Sequence, residues 1–233
     1  MTSSQSSPRE ATDGNRSIRR AGVIAGAALL LMSALAGFGY QVAIKGLVTQ
    51  GSPAKTATDI MAHQSLFRFG ILSLILVVAL DVVVAWALYR LFKPASKRIS
   101  MLAAWLRIIY AGIFAVAISQ LVEALRLLDN QANADALARI NTFTDIWDAG
   151  LVLFGLHLLL IAYLAYRSSF VPKLLSVLLA IAGLGYLFDS FGRAAGSSRQ
   201  VSTVTFIGEF LLALWLVIRV RRIRWSGTES QTV

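Results

Sequence analysis

Six long apolar stretches, separated by short polar ones, set the rhythm of this chain. They run at roughly Ala21–Val48, Leu66–Phe92, Ile99–Leu125, Phe143–Tyr166, Val171–Phe191 and Thr203–Val220. At a rise of about 1.5 Å per residue, each is long enough to cross a hydrocarbon core about 30 Å thick. The pattern predicts an all-α polytopic membrane protein, a single bundle of six transmembrane helices over residues 21–223. Residues 1–20, polar, Ser-rich and without periodicity, read as a disordered cytoplasmic tail, and residues 224–233 as a short second tail. The connections around GSPAKTATD and GRAAGSSRQ read as short turns, and LLDNQANADALARIN as a brief helix outside the bilayer. No internal repeat stands out.

Composition agrees. Only 15% of the 233 residues are charged and 57% are hydrophobic, whereas a soluble domain carries about a quarter charged residues. There is no cysteine, which excludes disulfides, thiol catalysis and thiolate metal or cluster sites. The net charge of +10 does not point to nucleic acid, because the cations cluster at the ends of the apolar runs. Counted by connection, one side holds fourteen Lys and Arg, including Arg19, Arg20, Lys93, Arg98 and Arg219, and the other side seven, with Arg107 left uncounted inside a span. The positive-inside rule then places both termini in the cytoplasm, as six crossings require. Trp105 and Trp225 fall near the inner interface and Trp147 near the outer one. Arg19-Arg20 and Ala34-Leu35-Ala36 imitate a signal peptide, but hydrophobicity continues to Val48, so the segment reads as a span. Gly22 and Gly26 form a GxxxG that favours close helix contact.

Polar residues inside these spans carry the candidate chemistry. Measured from the cytoplasmic ends, Asp81 and His157 lie about 15 Å deep and Arg107 about 12 Å. Three ionisable side chains on three helices thus share one level, and Tyr110, one turn from Arg107, is placed to join them. A charge at a helix centre costs about 2.5–3.5 kcal/mol, a penalty eased if Asp81 meets Arg107 inside the bundle. Ala103, Ala104 and Ala111 supply the small face that such an approach needs. The plain reading is an ion pair that fixes helix register, with His157 hydrogen-bonded to a neighbour. The functional reading is a site for a small molecule, a lipid headgroup or a proton.

A second layer consists of Glu123, Asp145, Asp148, Asp189 and Glu209, each in the outer third of its span. Arg68, Arg126 and Arg193 lie near that level, and five acids against three arginines suggest an outer acidic vestibule. It reads either as wetted interface residues or as the mouth of a cation pathway in a transporter or channel. His157 lies nine positions, about 180°, around the helix from Asp148, so the two are expected to face different neighbours. The other histidine, His63, falls in an outer loop, which argues against bis-histidine haem ligation. No HExxH, GxSxG, Walker A or GxGxxG signature is present to support catalysis. An intramembrane enzyme using His157 or a carboxylate as base therefore ranks last, behind a structural or regulatory membrane partner. No metal and no cofactor is expected. The expected partners are the bilayer and a lipid or small-molecule ligand; an oligomer is compatible with the sequence and not demonstrable from it.

Several blocks resemble one multi-pass bacterial membrane family, labelled domain of unknown function 4386. They are RFGILSLILVVALDVVVAWALYRLFKP, LAAWLRIIYAG, FGLHLLLIAYLAYRSSFVPKLLSVLLAIAGLGYLFDS and GEFLLALW. On this resemblance Asp81, Arg107, His157 and Asp189 occupy motif positions, and Phe170-Val171-Pro172 stands where the family shows a Gly, Phe or Tyr followed by Ile-Pro. The resemblance implies the helical fold and a bacterial inner membrane, and no activity.

Overall fold

A computed structural model describes residues 8–194 and 207–219. The described residues form seven helices: α1 (Pro8–Ala36), α2 (Pro53–Ala62), α3 (Gln64–Phe92), α4 (Lys97–Asp129), α5 (Asn133–Arg167), α6 (Lys173–Ala194) and α7 (Ile207–Arg219). Five segments are long and apolar enough to cross a membrane: Arg16–Leu47, Gln64–Phe92, Lys97–Asp129, Asn133–Arg167 and Lys173–Arg193. Of the sixth expected span, the structure describes only 13 residues, as α7, too few to count as a crossing; its expected beginning at Thr203 and end at Val220 lie outside the described residues.

Local chemistry sets the boundaries. Ser52 leads into α2 with Pro53 in its first turn, where the missing N–H costs nothing. Ser96 caps α4, its hydroxyl accepting from the Ile99 N–H at 3.5 Å. Helix α5 ends at Ser168, and Pro172 prevents continuation into α6. The α4–α5 turn uses Gln131 at φ +59°.

Three expectations change. The GSPAKTATD connection contains a ten-residue helix, α2, because Pro53 opens a segment with good helix formers in Ala and Lys. The brief helix expected within residues 127–141 is no separate element: α4 ends at Asp129, and α5 begins at Asn133 and runs unbroken for 35 residues. Helix α1 begins at Pro8, inside the segment expected as a disordered tail. Extending an existing helix avoids the nucleation penalty, so polar residues flanking a span can continue it. Residues 1–7 and the second expected tail lie outside the described residues.

Contacts between helices close into a ring, with α1, α3, α4, α5 and α6 each packed on the next and α7 bridging α6 back to α1. Glycines allow several of these contacts. A Cβ on Gly155 of α5 would meet the Gly183 carbonyl of α6 at 2.9 Å, and one on Gly183 would meet the Gly155 carbonyl at 2.8 Å. Gly26, from the predicted GxxxG, faces the Ala213 carbonyl of α7. The outward faces carry Phe69, Leu72, Ile75, Leu76 and Trp86 on α3 and Met101, Leu102 and Trp105 on α4, all exposed. Such a continuous apolar belt belongs in lipid.

Candidate functional site

Arg107, on α4, is the largest fully buried side chain of the described residues, 2% exposed at the centre of the ring. Ala103 and Ala111, one turn away on either side, keep the neighbouring helices close enough to enclose it. Four other helices address its guanidinium. Asp81 of α3, 1% exposed, brings Oδ1 to 2.8 Å from Nη2. His157 of α5 brings Nε2 to 3.2 Å from Nη1. Met32 of α1 offers its sulfur at 3.9 Å from Nη2. Glu209 of α7 lines the same small cavity as Arg107 and His157. The Phe154 ring, also on α5, lies 5.2 Å from the guanidinium carbon, a cation–π contact.

The histidine's role follows from its two partners. Nδ1 lies 2.8 Å from the Ala103 carbonyl, which can only accept, so Nδ1 carries the hydrogen. Nε2 then presents its lone pair to a guanidinium that can only donate. The imidazole is thereby fixed as the Nδ1–H tautomer and acts as a second acceptor for Arg107. Ala103 matters twice, because a larger side chain there would hold the ring away from the backbone.

Hydrogen bonding at this level is incomplete. The Asp81–Arg107 contact is close, 2.8 Å between Oδ1 and Nη2, and it leaves Asp81 Oδ2 without a hydrogen-bond donor. Arg107 Nε and Glu209 Oε1, both buried atoms, also lack partners. The cavity that Arg107, His157 and Glu209 share with Leu29, Leu88, Ile161 and Leu212 has a volume of about 10 Å³. That is the scale of one water. A lipid headgroup does not fit the site in this structure.

Tyr110 joins the level through its ring more than its hydroxyl. It packs on Phe154 at 4.8 Å, and its hydroxyl accepts from Trp147 Nε1 at 2.9 Å. Trp147, expected near the outer membrane interface, is half-buried and packs among Tyr40, Phe114 and Phe143. Its indole N–H needs an acceptor, and the buried Tyr110 hydroxyl supplies one.

Of the five acids expected to form a vestibule, Asp145, Asp148 and Asp189 stay within reach of one another, while Glu123 and Glu209 stand apart. Glu123 pairs with Arg126 at 3.2 Å on an exposed stretch of α4. Asp148 pairs with Arg193 of α6 at 2.9 Å, with exposed Asp145 and buried Asp189 in electrostatic reach. Glu209 leaves the outer layer altogether for the Arg107 level. Among the described residues no group of three or more potential ligands is arranged to hold a metal ion. Asp148 and His157 do face different neighbours, as their spacing on α5 predicts. His63 is exposed between α2 and α3, its Nδ1 3.1 Å from the Asp59 carbonyl.

Sequence reasoning missed Glu209, Met32 and Phe154 as neighbours of Arg107. It also missed the π-helical segment Gly37–Ile44, which continues α1 and carries Tyr40 onto the edge of Trp147, ring centroids 4.7 Å apart. Met32 and Phe154 carry no signal separating them from ordinary core. Glu209 does, as its distance from Arg219 reveals.

Among known proteins, the chain is similar to a protein of Archaeoglobus fulgidus described as an uncharacterized protein. The two are 38% identical over 155 residues, 66% of this chain and 86% of that one. No solved structure matches. Residues 24–219, which include every residue of the Arg107 level, match the family described as Domain of unknown function (DUF4386), and the chain belongs to that family.

Proposed function

We propose that the chain is a proton-handling integral membrane protein whose Arg107 level binds and releases a proton inside the bundle. The observation that carries this reading is the incompletely satisfied Asp81 carboxylate. A buried ion pair repays its desolvation only when the remaining lone pairs are hydrogen-bonded. Asp81 meets Arg107 through Oδ1 alone and leaves Oδ2 without a donor. A single-point contact is a weaker clamp than a bidentate pair and leaves one oxygen for a small guest. A cavity of about 10 Å³ favours a proton, with or without a water, over a headgroup or an organic ligand. An outer cation pathway has less support, because Glu123 and Asp148 are each paired with an arginine and Glu209 stands at the Arg107 level.

The topology belongs to the same reading. Six crossings with both termini in the cytoplasm are supported by the fourteen-to-seven distribution of Lys and Arg. The place of the apolar α7 between α6 and α1 supports a sixth span.

Proton exchange of the purified chain in lipid nanodiscs, read with an indicator dye after small pH steps through neutrality, tests the proposal. Wild type exchanges one proton more per chain than Asp81→Asn. Equal counts would refute it.

A further inference from the structure

The Arg107 level contains one carboxylate more than its guanidinium can balance. Taken helix by helix, α1 contributes Met32, which bears no charge. Helix α3 contributes Asp81, and α4 contributes Arg107 and Tyr110. Helix α5 contributes His157, fixed as the uncharged tautomer by Ala103 and Arg107. Helix α6 brings the Tyr186 hydroxyl to the Glu209 carboxylate, and α7 brings Glu209 itself. With both acids ionised the level sums to one negative charge, surrounded by Leu29, Leu88 and Leu212. An uncompensated charge in such surroundings is what a bundle in hydrocarbon avoids.

We infer that Asp81 and Glu209 share a single exchangeable proton around Arg107, so that the level is neutral when loaded and negative when emptied. This rests on the proton-handling reading and adds to it the second acid, from the helix that closes the ring. The free valences fit. Asp81 Oδ2 and Glu209 Oε1 both lack donors. The Tyr110 hydroxyl accepts from Trp147, which leaves its own hydrogen to give. The cavity has room on the scale of one bridging water and none for a hydrated metal ion.

Isotope-edited infrared spectroscopy of the full chain in nanodiscs tests this, with carboxyl-13C label in aspartate or in glutamate. Wild type shows a protonated-carboxyl band at neutral pH in one of the two labels, and the band fades as pH rises. Neutralising the other acid, by Asp81→Asn or Glu209→Gln, removes that band, because one remaining carboxylate already balances Arg107. A band that persists in the variant overturns the sharing. Absence of any such band from the wild-type chain overturns it without a variant. Loss of the band on replacing choline by sodium at constant pH makes the guest a metal ion and overturns the proton assignment. In the dye assay Glu209→Gln exchanges one proton fewer than wild type. If it matches wild type while Asp81→Asn does not, the Glu209 inference fails and the proton-handling reading stands; if neither differs, both fail.

Discussion

Arg107 stays ordered because its charge and its hydrogen-bonding edges are met by different helices. Asp81 supplies charge, His157 a lone pair and Phe154 a ring face. Of these, the histidine can be removed without altering the charge sum. His157→Phe leaves Arg107 Nη1 without its nitrogen acceptor at a position 1–2% exposed, a loss of about 1–3 kcal/mol. Unfolding by titration with a denaturing detergent reads that loss, and His63→Ala, at an exposed histidine, leaves the midpoint where it was. Equal midpoints for the two variants would show that the imidazole does not support the guanidinium. Much of this level was legible beforehand, since Asp81, Arg107 and His157 were matched by depth alone. Glu209 was not, because its depth was counted from the outer end of an assumed span. Counted from the cationic end it lies ten residues from Arg219, as His157 lies ten from Arg167 and Arg107 ten from Lys97. The cationic ends gave the sounder reference here. Helices of 33 and 35 residues are about 50 Å long, so their other ends lie far beyond a core of about 30 Å.

At the scale of elements, backbone approach matters as much as side-chain packing. Without a hydrophobic drive between helices inside lipid, close contact at small residues holds neighbours together. The facing Gly155 and Gly183 are such a contact, and it also fixes the helix that carries His157. Gly155→Ala puts a methyl group 2.9 Å from a backbone carbonyl that cannot rotate aside, at a cost of about 1–3 kcal/mol. Gly112→Ala, on α4 with nothing within 4 Å, is neutral or slightly stabilising through helix propensity. The same detergent titration ranks the two, and a harmless Gly155→Ala would mean that α5 and α6 are not held at this distance. Helix existence and approximate extent followed from hydrophobic runs alone. Helix α2 and the π-helical stretch of α1 did not. The first is too short and polar for a span-sized pattern, and the second depends on tertiary contacts such as Tyr40 with Trp147.

For the whole molecule, the cysteine-free sequence is a ready background for mapping topology. Cysteines introduced singly at the exposed positions Lys55 and Asn130 react with an impermeant maleimide from outside intact cells. One introduced at exposed Lys93 reacts only after the membrane is opened; the reverse pattern would invert the proposed orientation. The central question is whether the Arg107 level is a working site or an internal clamp, and a double-variant cycle answers it most directly. Arg107→Met leaves Asp81 buried without its cation and costs about 3–5 kcal/mol. Adding Asp81→Asn removes that uncompensated acid, so the double variant recovers most of the wild-type unfolding midpoint. The account predicts that this refolded double variant no longer exchanges the extra proton near neutral pH. A double variant matching wild type in both stability and proton count would contradict it.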